Sequence, residues 1–202
     1  VALPTGPNTQ DAVAGGAQRQ IRTLQDLLKN ENDAKVFDHY VTTQLALADL
    51  NGGLKNVGDS ARILSASVAP DGAHLLVQTI ERPYSYVVAS GSFPRRIEVL
   101  SLGANGATRL VHTVAKLPLE EGLPPGNDAV RKGVRNVSWR SDAPATLVWA
   151  EAQDGGDPAK AAEIRDFVFM SAAPFTSQPT VLAKLTSRFA DVNWGRGDLA
   201  LV

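Results

Sequence analysis

The sequence predicts an all-β fold made of repeated four-stranded antiparallel units, and three observations carry that expectation. First, the stretch Val130 to Asp157 alternates apolar and polar side chains through Val134, Val137 and Trp139. It then turns at Ser141-Asp142-Ala143-Pro144 and enters the dense apolar run Leu147-Val148-Trp149-Ala150. Such an outline reads as two antiparallel strands joined by a tight turn. Second, the outline recurs around Val68, with the turn Pro70-Asp71-Gly72, and around Trp194, with the turn Gly195-Arg196-Gly197. Third, the sequence between successive copies holds two further strand-like runs joined by a turn. Four strands per repeat, arranged around an axis, is the pattern of a β-propeller. Two to three such blades fit in the 202 residues.

Taken in order, residues 1–20 are rich in Pro, Gly, Ala, Asn and Gln without a period, which predicts a loop or linker. The propeller segment is expected to span 21–202. It begins with short helices near its N-terminal end. Ile21, Leu24, Leu27 and Leu28 recur at helical spacing over 21–29, and Asp33 can cap a second helix carrying Val36, Phe37, Tyr40 and Val41. Strand, hairpin turn and strand follow at Gln44 to Leu50, Asn51-Gly52-Gly53 and Leu54 to Val57. The first full unit uses Ile63 to Val68, Leu75 to Ile80, Arg95 to Leu102 and Arg109 to Val114. The second uses the Val130 stretch, Ile164 to Met170 and Thr180 to Leu185. A third begins at Phe189. The second strand of each unit, in LLVQTI, LVWAEA and LALV, is apolar on both faces and so is expected to be covered on both. Trp149 and Trp194 are expected to pack in the core or between blades.

Composition removes several classes of function. A formal net charge of -1 provides no global field to gather nucleic acid or anionic lipid. No apolar run approaches the roughly 18 residues that span a bilayer. The absence of cysteine excludes disulfides and thiolate zinc sites. The start lacks the basic and apolar regions of a signal peptide, and the last residues stop within a strand-like run, so a piece of a longer chain is expected. A partial propeller has open strand edges, which are expected to drive self-association.

Side chains with chemical potential are few. His39, His74 and His112 have no neighbouring His or carboxylate at ligand spacing and are expected to be structural. Asp154-Gly155-Gly156-Asp157 offers too few oxygens for calcium and reads as a turn. Tyr84 and Tyr86 are expected to pack beneath Pro83. No metal or cofactor is implied.

Three longer stretches carry a resemblance: RTLQDLLKNENDAKVFDHYVTTQLAL, ERPYSYVVASGSFPRRIEVL and VRKGVRNVSWRSDAPATLVWAEAQDGGD. The chain resembles the propeller of glutamyl endopeptidases in the prolyl oligopeptidase family of serine peptidases, over nearly its whole length. The resemblance implies the middle blades of a ring of about seven and a partner α/β-hydrolase domain, not in this chain, that holds the catalytic Ser, Asp and His. The nucleophile there sits on a G-x-S-x-G elbow. The nearest string, Gly58-Asp59-Ser60-Ala61-Arg62, lacks the final glycine, so no catalytic residue is assigned. The resemblance also implies that the propeller gates access and contributes to peptide binding. Members occur as exported bacterial and plastidial plant proteins. An enzyme that cuts after Glu must hold a carboxylate, a task suited to the forked donors of arginine. Arg82, Arg131 and Arg135 are the candidates to hold an acidic substrate side chain or a carboxylate at the domain interface. A non-catalytic propeller serving as a protein-binding platform is the alternative, since a fold does not fix a function.

Overall fold

The computed structural model describes residues 26–124, 126–195 and 199–202. The expected loop over 1–20 lies outside these residues, as does the start of the expected helix over 21–29. Its remainder, Asp26 to Lys29, is not helical. Asp26 is left-handed at φ 59, and the chain reaches Asn30 extended, at φ -162. The following helix, α1 (Glu31–Val41), is capped by Asn30 rather than Asp33. The Asn30 side chain accepts from the Asp33 N–H at 3.0 Å, and the Asp33 carboxylate accepts from the Lys29 N–H at 2.9 Å. These two bonds satisfy two donors at the helix entrance and set where it begins.

A hairpin of β1 (Thr43–Ala48) and β2 (Leu54–Ala61) follows. Asp49 closes its turn by accepting from the N–H groups of Asn51 and Gly53 at 2.8 and 2.9 Å. The first four-stranded antiparallel sheet is β3 (Ile63–Val68), β4 (His74–Ile80), β5 (Arg95–Leu102) and β6 (Thr108–Leu117). The second is β7 (Val134–Trp139), β8 (Thr146–Ala152), β9 (Asp166–Ala172) and β10 (Thr180–Leu185). In both, strands that are neighbours in sequence are neighbours in space. β9 starts at Asp166, two residues after the expected Ile164. A short antiparallel pair follows, β11 (Asn193–Trp194) and β12 (Ala200–Leu201). Four-stranded antiparallel sheets and strand-dominated content therefore agree with the all-β expectation, with one α-helix and one 3-10 turn (Ser90–Ser92) among the described residues.

The two sheets are stacked in a series of layers, and alternation along the strands explains how. Leu76 of β4 and Ile97 and Val99 of β5 face Leu147 and Trp149 of β8 in the core between the sheets. The opposite face of β4, through Leu75 and Val77, packs on Val57, Leu45 and Leu47 of the β1–β2 hairpin. The opposite face of β8, through Val148 and Ala150, packs on Val168, Phe189 and Val192. β4 and β8 are thus covered on both faces, as the apolar runs predict. The corresponding run near the end differs: Leu199 and Leu201 are exposed, because no described element packs on them. Equivalent positions of the two sheets also meet. The Trp139 indole donates to the Ser67 carbonyl at 3.0 Å, and the Asp71 N–H of one turn donates to the Pro144 carbonyl of the next at 2.8 Å.

Trp149 is 6% exposed and stacks on Phe169 with ring centroids 5.8 Å apart, as the core role requires. Trp194 is half-buried, packs against the cluster of Val148, Val168 and Val192, and lies under the Arg140 guanidinium, 4.2 Å from its ring centre. Trp149→Ala should cost about 3–5 kcal/mol of unfolding free energy. Denaturant titration checks this, and a loss below about 1 kcal/mol would contradict the inter-sheet role of that side chain.

Candidate functional site

The three arginines expected to hold a carboxylate have three different environments. Arg82 lies on the loop after β4 and reaches back to α1. Its Nη2 donates to Asp38 at 2.6 Å, and Nη1 lies 3.4 Å from Glu31. Tyr84 donates to the other Asp38 oxygen and stacks on Phe93, with Phe37 against its edge. Burial first, and then the bond to Asp38, push the Tyr84 hydroxyl up to about 12. Arg82 and Tyr84 therefore fasten the helix to the first sheet. Tyr86 differs from Tyr84, since its ring is exposed.

Arg135 is nearly buried and paired with the fully buried Asp166. Asp166 also accepts from Arg188 Nη1 at 3.2 Å and from the Phe189 N–H at 2.5 Å. Arg188 extends the chain of charges to Asp154 at 2.7 Å, where Arg165 joins at 2.8 Å. Burial pushes the Asp154 carboxyl up. The hydrogen bonds from Arg188, Arg165 and the Gly156 N–H outweigh it and hold the group at about 2. The Asp154-Gly155-Gly156-Asp157 segment is thus a turn whose buried aspartate is occupied by arginines. Gly156 is required there: a Cβ would lie 1.9 Å from the Val130 carbonyl oxygen.

Arg131 stands apart. Its Nη2 donates to the Pro118 carbonyl at 2.7 Å, while Nε and Nη1 are shielded from solvent without a protein acceptor. Arg131 and Arg135 line a cleft of about 440 Å³ with Arg95, Gln78 and Asn136, over a floor that includes Ile97 and Leu117. Among the described residues no carboxylate lines this cleft. Arg95 donates to the Gly91 carbonyl at 2.7 Å, and its Nε is also without an acceptor. Burial lowers the pKa of Arg95, and burial followed by repulsion from Arg95 lowers that of Arg131, with Glu120 opposing. Sheet geometry brings these groups together. Arg95 shares a strand face with Ile97, whereas Arg96 points to the other face and pairs with Glu81 at 3.0 Å. On β7 the pairing register shifts between Arg135 and Ser138, where Asn136 is left-handed at φ 54. Such a bulge re-aims neighbouring side chains.

The cleft therefore unites Arg131 and Arg135 of the expected set and leaves Arg82 elsewhere. Arg95 was missed as a site residue. Its signal is the Arg95-Arg96 pair at a strand start, where alternation sends one side chain to each face. His74, expected to have no neighbouring carboxylate, has one three residues away. The His74 ring lies 2.6 Å from the Asp71 carboxylate, which also accepts from the Ala73 N–H at 2.8 Å. Asp71 closes the turn before β4, so this pair is structural. His74 and His112 flank the buried Phe175 ring at 6.0 and 5.5 Å. Ser60 lies within β2 and donates to Gln44 at 2.9 Å.

These features define an all-β protein of stacked four-stranded antiparallel sheets with an arginine-lined cleft between them. No protein-family profile matches the chain. It is similar to curated plant proteins. One from Oryza sativa subsp. japonica, named probable glutamyl endopeptidase, chloroplastic, is 41% identical over 203 residues, covering 100% of this chain and 21% of that protein. A protein of the same name from Arabidopsis thaliana is 43% identical over 202 residues, covering 99% of this chain and 20% of that protein. The chain spans about a fifth of the length of these relatives.

The depressed Asp154 pKa makes stability acid-sensitive. Because the folded value lies below the ordinary 3.8, its contribution is complete above 3.8 and is lost as pH falls towards about 2. The loss should reach about 2 kcal/mol. Urea titrations at a series of pH values should show the stability difference between the native chain and Asp154→Asn shrinking across that window. A constant difference would contradict the assignment.

Proposed function

We propose that this chain forms the middle blades of a β-propeller in a serine endopeptidase that cuts after Glu. In this reading it supplies no catalytic residue and gates substrate access to a partner α/β-hydrolase domain. The observation that carries the reading is the 41–43% identity running along essentially the whole chain to proteins named glutamyl endopeptidases. The layered sheets support it. Each four-stranded meander lays one face on the sheet before it and the other on the element after it, which is the way successive sectors of a ring are stacked. Such a ring, of about seven blades, would leave a channel that admits an extended peptide and excludes a folded domain.

The test uses the intact protein that carries this chain. It should hydrolyse unfolded peptides after Glu, lose activity on covalent modification by a serine-directed phosphonate, and leave the same peptide segment uncut inside a stable folded protein. The isolated chain should be inactive. An intact protein without peptidase activity would contradict the reading and favour a protein-binding platform. Cleavage of the folded substrate as fast as the unfolded one would contradict the gating role.

A further inference from the structure

We propose that the cleft holding Arg95 and Arg131 is a carboxylate receptor that seats an acidic side chain of a bound peptide. The inference deepens the peptidase reading and rests on it for the nature of the ligand. The chemistry comes from the structure. Elsewhere among the described residues, each buried or half-buried arginine faces a carboxylate. Arg135 faces Asp166, Arg165 faces Asp154, and Arg96 faces Glu81. Arg95 and Arg131 are the exceptions, since their bonded acceptors are the backbone carbonyls of Gly91 and Pro118.

Arg95 and Arg131 are both half-buried, and two like charges sharing such a cleft repel each other more than they would on a fully wet surface. The Nε of Arg95 and the Nε and Nη1 of Arg131 are shielded from bulk water and have no acceptor among the described residues. Those three atoms are buried out of a ligand's reach, so an anion in the cleft acts on the guanidinium charges and on the remaining Nη hydrogens, and relieves the repulsion. Glu120 acts on Arg131 through its charge, but it does not line the cleft. Gln78 adds a neutral amide to the wall, while Ile97 and Leu117 provide an apolar floor. A carboxylate on a short methylene stem matches that combination. Its head lies with the cations and its stem on the floor. Arg135 borders the same space, but its charge is already balanced by Asp166, so it positions the wall and does not bind.

Binding of a blocked glutamate, N-acetylglutamate methylamide, to the intact protein tests this by calorimetry against the glutamine counterpart and inorganic phosphate. The glutamyl probe should bind about tenfold or more tightly than the glutamine probe. The preference should disappear in Arg131→Gln and in Arg95→Gln and survive in Arg82→Gln. In the unsubstituted protein, the Nε–H resonances of Arg95 and Arg131 should shift on addition of the glutamyl probe, a readout that does not depend on any variant folding. Unmoved resonances, or a preference unchanged in both variants, would overturn the proposal. Phosphate bound as tightly as the glutamyl probe would overturn it in favour of a generic anion hole. Failure of the peptidase reading looks different: arginine-dependent binding of the glutamyl probe by an intact protein that cleaves no peptide.

Discussion

Everything in this fold follows from the burial of Leu147, Val148, Trp149 and Ala150 on alternating faces of one strand. A strand that is apolar on one face can rest on a single layer. A strand apolar on both needs a layer above and a layer below. Leu147 and Trp149 fill the core against the first sheet, while Val148 and Ala150 fill another against Phe189 and Val192. The same pattern in β4, with Leu76 on one side and Leu75 and Val77 on the other, demands a further layer and finds it in the β1–β2 hairpin. Layers therefore succeed one another along the chain instead of closing as a pair.

That constraint was written plainly in the sequence because strand alternation has a period of two and turns announce themselves through Pro, Asp and Gly. Both four-stranded sheets were legible for this reason. What was less legible depended on contacts between segments far apart. Asn30, rather than Asp33, caps α1 because its side chain accepts from the Asp33 N–H, a bond that either residue type could make. The doubly apolar run Leu199 to Val202 resembles β4 and β8, yet its burial depends on a neighbour outside its own sequence. The pairing of His74 with Asp71 was overlooked although only three residues separate them, since a turn, and no ligand motif, creates it.

The charged groups divide by the same logic. Sequence alone ranked Arg82, Arg131 and Arg135 together because the forked donors of arginine suit a carboxylate. Position in the layers separates them. Arg82 is occupied by the helix that covers the first sheet, and Arg135 by Asp166 at the start of β9. The Asp154–Arg188–Asp166 chain spends five charged groups, with Arg135 and Arg165, on joining the second sheet to the segment between β10 and β11. Among the described residues, Arg95 and Arg131 pair with no carboxylate at the seam between the sheets. A seam is where stacked layers leave room, and a cation there is held in place by the strands on either side.

A crystal structure of the intact protein tests the serial layering most directly. The account predicts that the unit opened by Asn193–Trp194 and Ala200–Leu201 completes a four-stranded sheet. One face of that sheet should lie on Val148, Ala150 and Val168, with a further layer over Leu199 and Leu201. Closure of these strands onto the β1–β2 hairpin to form a two-sheet sandwich would contradict it.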